Sequence, residues 1–224
     1  MTQRGVAHCR TMNPVTESEH YFSARPSSAA TDRVVEFTAG GVDLRLDASA
    51  GVFSSSRLDP GTAVLLRKAP LPSGDGEYLD LGCGYGPIAV TLARVSTGRV
   101  TAVDVNDRAL ELVRRNADSN DVGDRVTAVL PDEAPKDRVY DEIWSNPPIR
   151  IGKDALHVLL LEWLPRLAHG GVAWLVVARH KGADSLASWL GTHGFTAVKH
   201  ASQKGYRVLR VTRAADRASE DPHS

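Results

Sequence analysis

Leu79-Asp-Leu-Gly-Cys-Gly-Tyr-Gly-Pro87 is the stretch on which the fold turns. It opens as the end of a short buried strand. It closes on Pro87, which suits the first position of a helix, where no backbone N–H is needed. Between them Gly82, Gly84 and Gly86 let the chain turn sharply and let a ligand approach the backbone. The helix behind them offers unpaired N–H groups. The spacing is G-x-G-x-G with Asp80 ahead of it, unlike the G-x-G-x-x-G of a pyrophosphate cradle. A carboxylate at Asp80 repels a pyrophosphate and suits a cationic amino-acid moiety. A tight turn without a ligand is the plainer alternative, but three glycines opening a buried helix destabilise it.

Outward from this turn, strand and helix patterns alternate. Strands are predicted over 78–81, 100–105, 125–130, 140–145 and 172–178. Helices are predicted over 87–95, from a cap at Asn106 with Leu110 and Val113 on its apolar face, and over 155–167, stopped by Gly170-Gly171. A further helix contains Leu186, Trp189 and Leu190, and strands over 196–203 and 206–212 close the chain around Lys204-Gly205. This pattern predicts an α/β fold: an open, doubly wound, mostly parallel seven-stranded sheet. The last two strands are too closely connected for a parallel crossover, so a terminal strand should run antiparallel. Upstream, the alternating stretches 34–37 and 42–46 flank Gly40-Gly41 and predict an N-terminal β-hairpin extension. Asp59-Pro60 reads as the N-cap and first position of a helix to about Lys68.

The expected organisation is a loose tail over 1–20, one domain over 21–213 and a second loose tail over 214–224. Within the domain, 21–70 holds the hairpin and first helix, and 71–213 the ligand-binding core. The chain has 224 residues, enough for a sizeable core. Lys+Arg and Asp+Glu both total 27, so any basic face must be local. The two cysteines, Cys9 and Cys83, lie far apart and suggest neither a disulfide framework nor a metal site, which fits a reducing cytoplasm. No apolar run reaches membrane-spanning length, and the start lacks the apolar core of a signal peptide.

Ligands of such sheets bind beyond the carboxyl ends of the strands. Asp104, with Val105 beside it, falls there, about twenty residues past the glycines, and reads either as an acid that accepts both hydroxyls of a ribose or as a helix-capping or turn aspartate. Asp132 follows the third core strand and reads either as a contact to an adenine amino group or as a plain loop acid. Asn146-Pro-Pro148 ends the fourth and reads either as a plain proline-rich turn or as an acceptor site. The prolines stiffen the backbone and remove competing donors. The Asn146 side-chain oxygen and the Pro147 carbonyl can then accept both hydrogens of a substrate –NH₂ and aim its lone pair at an electrophilic methyl group. Arg150, Lys153, Arg179, His180 and Lys181 follow the fourth and fifth core strands, as phosphate contacts or as ordinary solvated charge.

These residues resemble the class I S-adenosylmethionine-dependent methyltransferases. Gly51-Val-Phe-Ser54, Leu58-Asp-Pro-Gly-Thr62 and Tyr206-Arg-Val-Leu209 narrow the resemblance to the small-domain family of ribosomal RNA guanine-N2 methyltransferases, in particular the branch acting on small-subunit (16S) RNA. The resemblance spans about residues 20–213. It implies S-adenosyl-L-methionine as cofactor, with Asp80, Gly82, Cys83, Gly84 and Gly86 around its methionine portion and Asp104 at its ribose. It further implies that Asn146, Pro147 and Pro148 hold the guanine N2 amine, with Phe53 and Ser54 near the mouth or forming an apolar plug under the sheet. Ile149 stands where family members commonly carry an aromatic residue. The implied partner is ribosomal RNA or an assembling small subunit. Methylation of a protein glutamine amide, a non-catalytic ribosome-assembly factor and a dinucleotide-dependent oxidoreductase are the alternatives.

Overall fold

The computed structural model describes residues 32–49, 57–147 and 152–218. Among them nine strands form two sheets. The hairpin β1 (Asp32–Ala39) and β2 (Val42–Ser49) is antiparallel, turning at Gly40 and Gly41, both with positive φ as a tight hairpin turn requires. The main sheet has seven strands: β3 (Glu77–Leu81), β4 (Arg99–Val103), β5 (Val126–Val129), β6 (Tyr140–Ser145), β7 (Leu167–Ala178), β8 (Phe195–Gln203) and β9 (Tyr206–Arg213). Their order is β5-β4-β3-β6-β7-β9-β8. Neighbours from β5 to β7 run parallel, and β9 is antiparallel to both β7 and β8. This is the expected Rossmann-like, doubly wound sheet with its hairpin extension. The antiparallel strand is the last in the chain, and it slots between β7 and β8 instead of lying at the edge.

Helices cover both faces. On one side lie α1 (Pro60–Lys68), α2 (Pro87–Val95) and α3 (Asp107–Ser119), with Val64, Leu65, Val90, Leu92, Leu110 and Val113 in a single core cluster. On the other lie α4 (Lys153–Trp163) and α5 (Ala183–Gly191), which bury Leu156, Leu160, Trp163, Leu186 and Leu190. The hairpin makes a further layer over α2 and α3. Its Val35, Leu44, Leu46 and Ala48 join the first cluster. Asn116 of α3 pins it: the side chain accepts from Asp47 N–H (2.7 Å) and donates to the carbonyls of Asp47 and Tyr85 (2.8 Å each). Asn120 adds a bond to the Arg45 carbonyl.

Two boundaries depart from expectation. Helix α4 ends at Trp163 and β7 begins at Leu167, where a helix was predicted to continue to 167 and a strand to begin at 172. Pro165 has no N–H to continue the helical hydrogen-bond ladder, so the chain tightens into a 3-10 turn over Leu164–Arg166, with Leu164 still in helical backbone. Leu167 then pairs with Tyr140, and the register shifts before Val172 pairs with Glu142. The extra residues, Gly170-Gly171 among them, form an irregularity within β7 instead of a helix stop. Past β9, Ala214–Ala218 forms a short helix, α6, where a loose tail was expected from 214. Among the described residues no helix is long and apolar enough to cross a membrane.

Candidate functional site

The sheet order reverses at β3, which pairs with β4 on one side and β6 on the other. A crevice therefore opens beyond the carboxyl ends of these strands. The registers Leu81↔Val103 and Asp80↔Trp144 bring the glycine turn, Asp104 and Asn146 to one level. Ser145 ties the strand ends further, its hydroxyl donating to the Leu81 carbonyl at 2.7 Å.

The glycine turn is built around two carboxylates. Gly82 and Cys83 N–H both donate to the Val103 carbonyl, anchoring the turn to β4. Gly82, Gly84 and Gly86 all have positive φ. Gly86 also serves as the left-handed N-cap of α2, and a Cβ there would meet Val113 Cγ2 at 3.1 Å. Asp104 Oδ2 accepts from Gly84 N–H (2.9 Å) and Oδ1 from Asn106 N–H (3.0 Å). Burial raises its carboxyl above the ordinary value, and these backbone donors oppose the rise. A carboxylate has about four acceptor positions, more than the backbone groups of Gly84, Asn106 and Val105 fill.

Asp80 is fully buried. Its Oδ2 accepts from Ala89 N–H at 2.9 Å, and its Oδ1 has no partner. Burial pushes the carboxyl up to about 8; the Ala89 bond lowers it and the charge of Asp104 raises it. A buried oxygen without a partner is costly unless something arrives to satisfy it. A ligand ammonium fits that need once the turn opens enough to uncover Oδ1, which is closed off in this structure, and Asp104 can accept from a ligand hydroxyl. The residues therefore suit a cofactor that carries an amino-acid group and a ribose.

Cys83 is buried too, and burial holds its thiol well above the ordinary range, so it is present as a neutral lining group. Val105, just past β4, is 40% exposed, an apolar surface next to Asp104. Asp132 lies exposed in the turn after β5, and Lys153 is exposed at the start of α4. Arg179, His180 and Lys181 form an exposed 3-10 turn after β7, at the same end of the sheet. Lys204 joins them, because Arg179 N–H donates to the carbonyl of the adjacent Gly205.

Asn146 leaves β6 half-buried, followed by buried Pro147. Its Nδ2 donates to Asp59 Oδ2 (2.7 Å) and to Thr62 Oγ1 (3.0 Å). Asp59 is the N-cap of α1 and also accepts from Thr62 N–H at 3.0 Å. Asp59 and Thr62 were visible in the sequence only as a helix start. No periodicity signals a contact across 87 residues. Beside them stand Tyr85 and Tyr206, whose hydroxyls are raised first by burial and then by the Asp59 charge. Phe53, Ser54, Pro148, Ile149 and Arg150, expected at the mouth and acceptor side, lie outside the described residues.

A family model described as the methyltransferase small domain matches residues 43–210. The Bacillus subtilis protein YbxB, itself uncharacterized, is 31% identical over 197 residues, covering 87% of this chain and 98% of its own length. A ribosomal RNA small subunit methyltransferase C from Pseudomonas entomophila is 32% identical over 213 residues, 92% of this chain. The match spans 61% of that relative's length. Among solved structures, the T. thermophilus 16S rRNA N2 methyltransferase in complex with AdoMet and guanosine superposes with a TM-score of 0.67 at 24% identity. That match covers 84% of this chain and 52% of the other.

Proposed function

The chain belongs to the methyltransferase small domain family, and on that premise we propose that it methylates the exocyclic N2 amine of a guanine in small-subunit (16S) ribosomal RNA. The observation that carries this reading is a pair of acceptors at the ends of adjacent strands. One is the partnerless Asp80 Oδ1 near the carboxyl end of β3, suited to the cofactor ammonium. The other is the Asn146 amide oxygen after β6, suited to the acceptor amine.

S-adenosyl-L-methionine, when bound, supplies a methyl group on a sulfonium sulfur. In this reading Asp80 and the glycine turn hold its methionine portion. Asp104 holds its ribose, Val105 covers its base, and Asp132 stands near the adenine amino group. The Asn146 amide oxygen and the Pro147 carbonyl accept the two hydrogens of the guanine amine, which localises the lone pair and fixes its approach. Phe53, Ser54, Pro148 and Ile149 belong to the acceptor side of the same reading, and Arg150 and Lys153 to its phosphate contacts. Transfer would join the donor's methyl carbon to this nitrogen with loss of the sulfur–carbon bond, and the surplus proton would pass to solvent. No general base is required. Exposed Arg179, His180, Lys181 and Lys204 offer phosphate contacts around the site. The acceptor is ribosomal RNA or the assembling small subunit, which places the protein in the cytoplasm.

The test is transfer of labelled methyl from the donor to small-subunit RNA and to assembled subunits, with the product nucleotide identified. N2-methylguanosine is the expected product. Absence of transfer to either substrate, with the donor bound, overturns the catalytic reading. Label on a ribosomal protein glutamine instead of RNA replaces it with the amide-methylation alternative.

A further inference from the structure

We propose that Asp59 and Thr62, at the first turn of α1, are positioning residues that make Asn146 an acceptor-only group toward the substrate. The inference rests on the reading of Asn146 as the amine-binding residue. A side-chain amide has two ends of similar shape, one a double donor and one an acceptor. If the donor end faced the acceptor site, it would repel an amine and favour a carbonyl. The structure removes that ambiguity with chemistry that cannot be inverted. The Asp59 carboxylate lies 2.7 Å from Asn146 Nδ2 and has no hydrogen to give, so the NH₂ end must face it. Thr62 Oγ1, 3.0 Å away, takes the remaining hydrogen. Both donors of the amide are then spent on α1, and Oδ1 is the end left over.

The carboxylate also has an electronic effect. A hydrogen bond to an ionised acceptor is about twice as strong as a neutral one and polarises the group that donates it. Polarisation moves electron density toward Oδ1. The acceptor nitrogen becomes positive as its bond to carbon forms, so a more negative Oδ1 stabilises the transition state more than the ground state. Asp59 thus acts through Asn146 without touching the substrate.

Local packing is arranged around this contact. Thr62 is buried, which holds its hydroxyl in place. Gly61 lies between the partners: a Cβ there would meet Asp59 Oδ2 at 2.9 Å, Tyr206 Cε1 at 3.1 Å and Asn146 Oδ1 at 3.2 Å. Any side chain at 61 would therefore press on the amide oxygen itself. One short turn thus supplies the carboxylate, the hydroxyl and the gap.

Full-length wild type, Asp59→Asn, Thr62→Val and Thr62→Ser are compared, with labelled donor and small-subunit RNA as substrates. Asn caps a helix as well as Asp does, so Asp59→Asn should keep α1 and the thermal midpoint while removing the charge. We expect kcat to fall by about 10- to 100-fold, with the dissociation constant for the donor changed less than about twofold, since neither residue touches it. Thr62→Val should lower kcat likewise, and Thr62→Ser should restore it. A merely structural role would move the thermal midpoint together with kcat and would not be rescued by serine. An independent readout is the Asn146 side-chain NH₂ resonance, assigned by its loss in Asn146→Ala. It should be protected from solvent exchange in wild type and lose protection in Thr62→Val. Wild type that fails to methylate RNA while showing the protected NH₂ sinks the functional reading and leaves the clamp standing. Wild-type kcat in both Asp59→Asn and Thr62→Val, or an unprotected NH₂ in wild type, overturns the inference.

Discussion

Binding of the methyl donor should expel a proton from Asp80. In the free protein this carboxyl is fully buried, accepts a single hydrogen bond from Ala89, and is pushed up to about 8 mainly by burial. At pH 7 the neutral form therefore predominates. A ligand ammonium next to Oδ1 favours the charged form and drives the pKa back down. Titration calorimetry at pH 7, repeated in buffers of different ionisation enthalpy, should show net proton release on donor binding, up to about one proton per donor bound. Asp80→Asn keeps the shape and removes the titration. Its buffer dependence should vanish, and its donor affinity should fall on the order of 10- to 100-fold through loss of a charged hydrogen bond. The same group shapes the stability of the free protein. Its folded pKa lies above the unfolded one, so the folded state holds more protons between about pH 4 and 8. Stability contributed by the neutral form is full below that window and is lost as pH rises through it. The displacement from 3.8 to about 8 sets a ceiling on the order of 6 kcal/mol. Denaturation of the free Asp80→Asn protein should show a flatter profile from pH 5 to 8. A wild-type binding enthalpy independent of buffer, together with an unchanged pH profile in Asp80→Asn, would refute the assignment of this carboxylate to the donor ammonium.

Three other substitutions probe the remaining links. Asn146→Ala should reduce methyl transfer by at least about 100-fold while leaving donor affinity nearly intact; a large affinity loss in equilibrium dialysis would place Asn146 with the cofactor instead of the acceptor. Gly86→Ala puts a Cβ on a residue at φ +89°, 3.1 Å from Val113, and should cost about 1–3 kcal/mol in urea denaturation. Asn116→Ala leaves the Asp47 N–H and two carbonyls without their partner and should cost about 2–4 kcal/mol. Hydrogen exchange in that variant should accelerate across β1 and β2 before the main sheet; uniform acceleration would mean that the hairpin does not open separately.

How far the chain announces itself depends on the range of each interaction. Strands β3 and β6, helix α2 and the cap of α3 were legible because each is written in neighbouring residues: Tyr78–Leu81 as a buried run, Pro87 and Asn106 as helix starts, Gly82 to Gly86 as a turn. The end of α4 was misjudged because apolar residues continue at helical spacing through Leu164 and Leu167. The competing facts were the missing N–H of Pro165 and the pairing of Leu167 with Tyr140 on a strand 27 positions earlier. No local pattern records that pairing.

The candidate site divides in the same way. Sequence alone determined which chemistry is present: an acid before a G-x-G-x-G turn, a second acid one strand later, an amide before prolines. These are properties of residue type and short spacing. Only the tertiary structure decided how they are set to work. The depth of burial at Asp80, which turns an ordinary carboxyl into one near 8, comes from the sheet and helices closing around it. Which end of the Asn146 amide is bound to α1 and which is left over is decided by Asp59, 87 residues away. Burial and hydrogen-bond direction both belong to the surroundings of a side chain, and distant parts of the chain supply those surroundings only once it has folded.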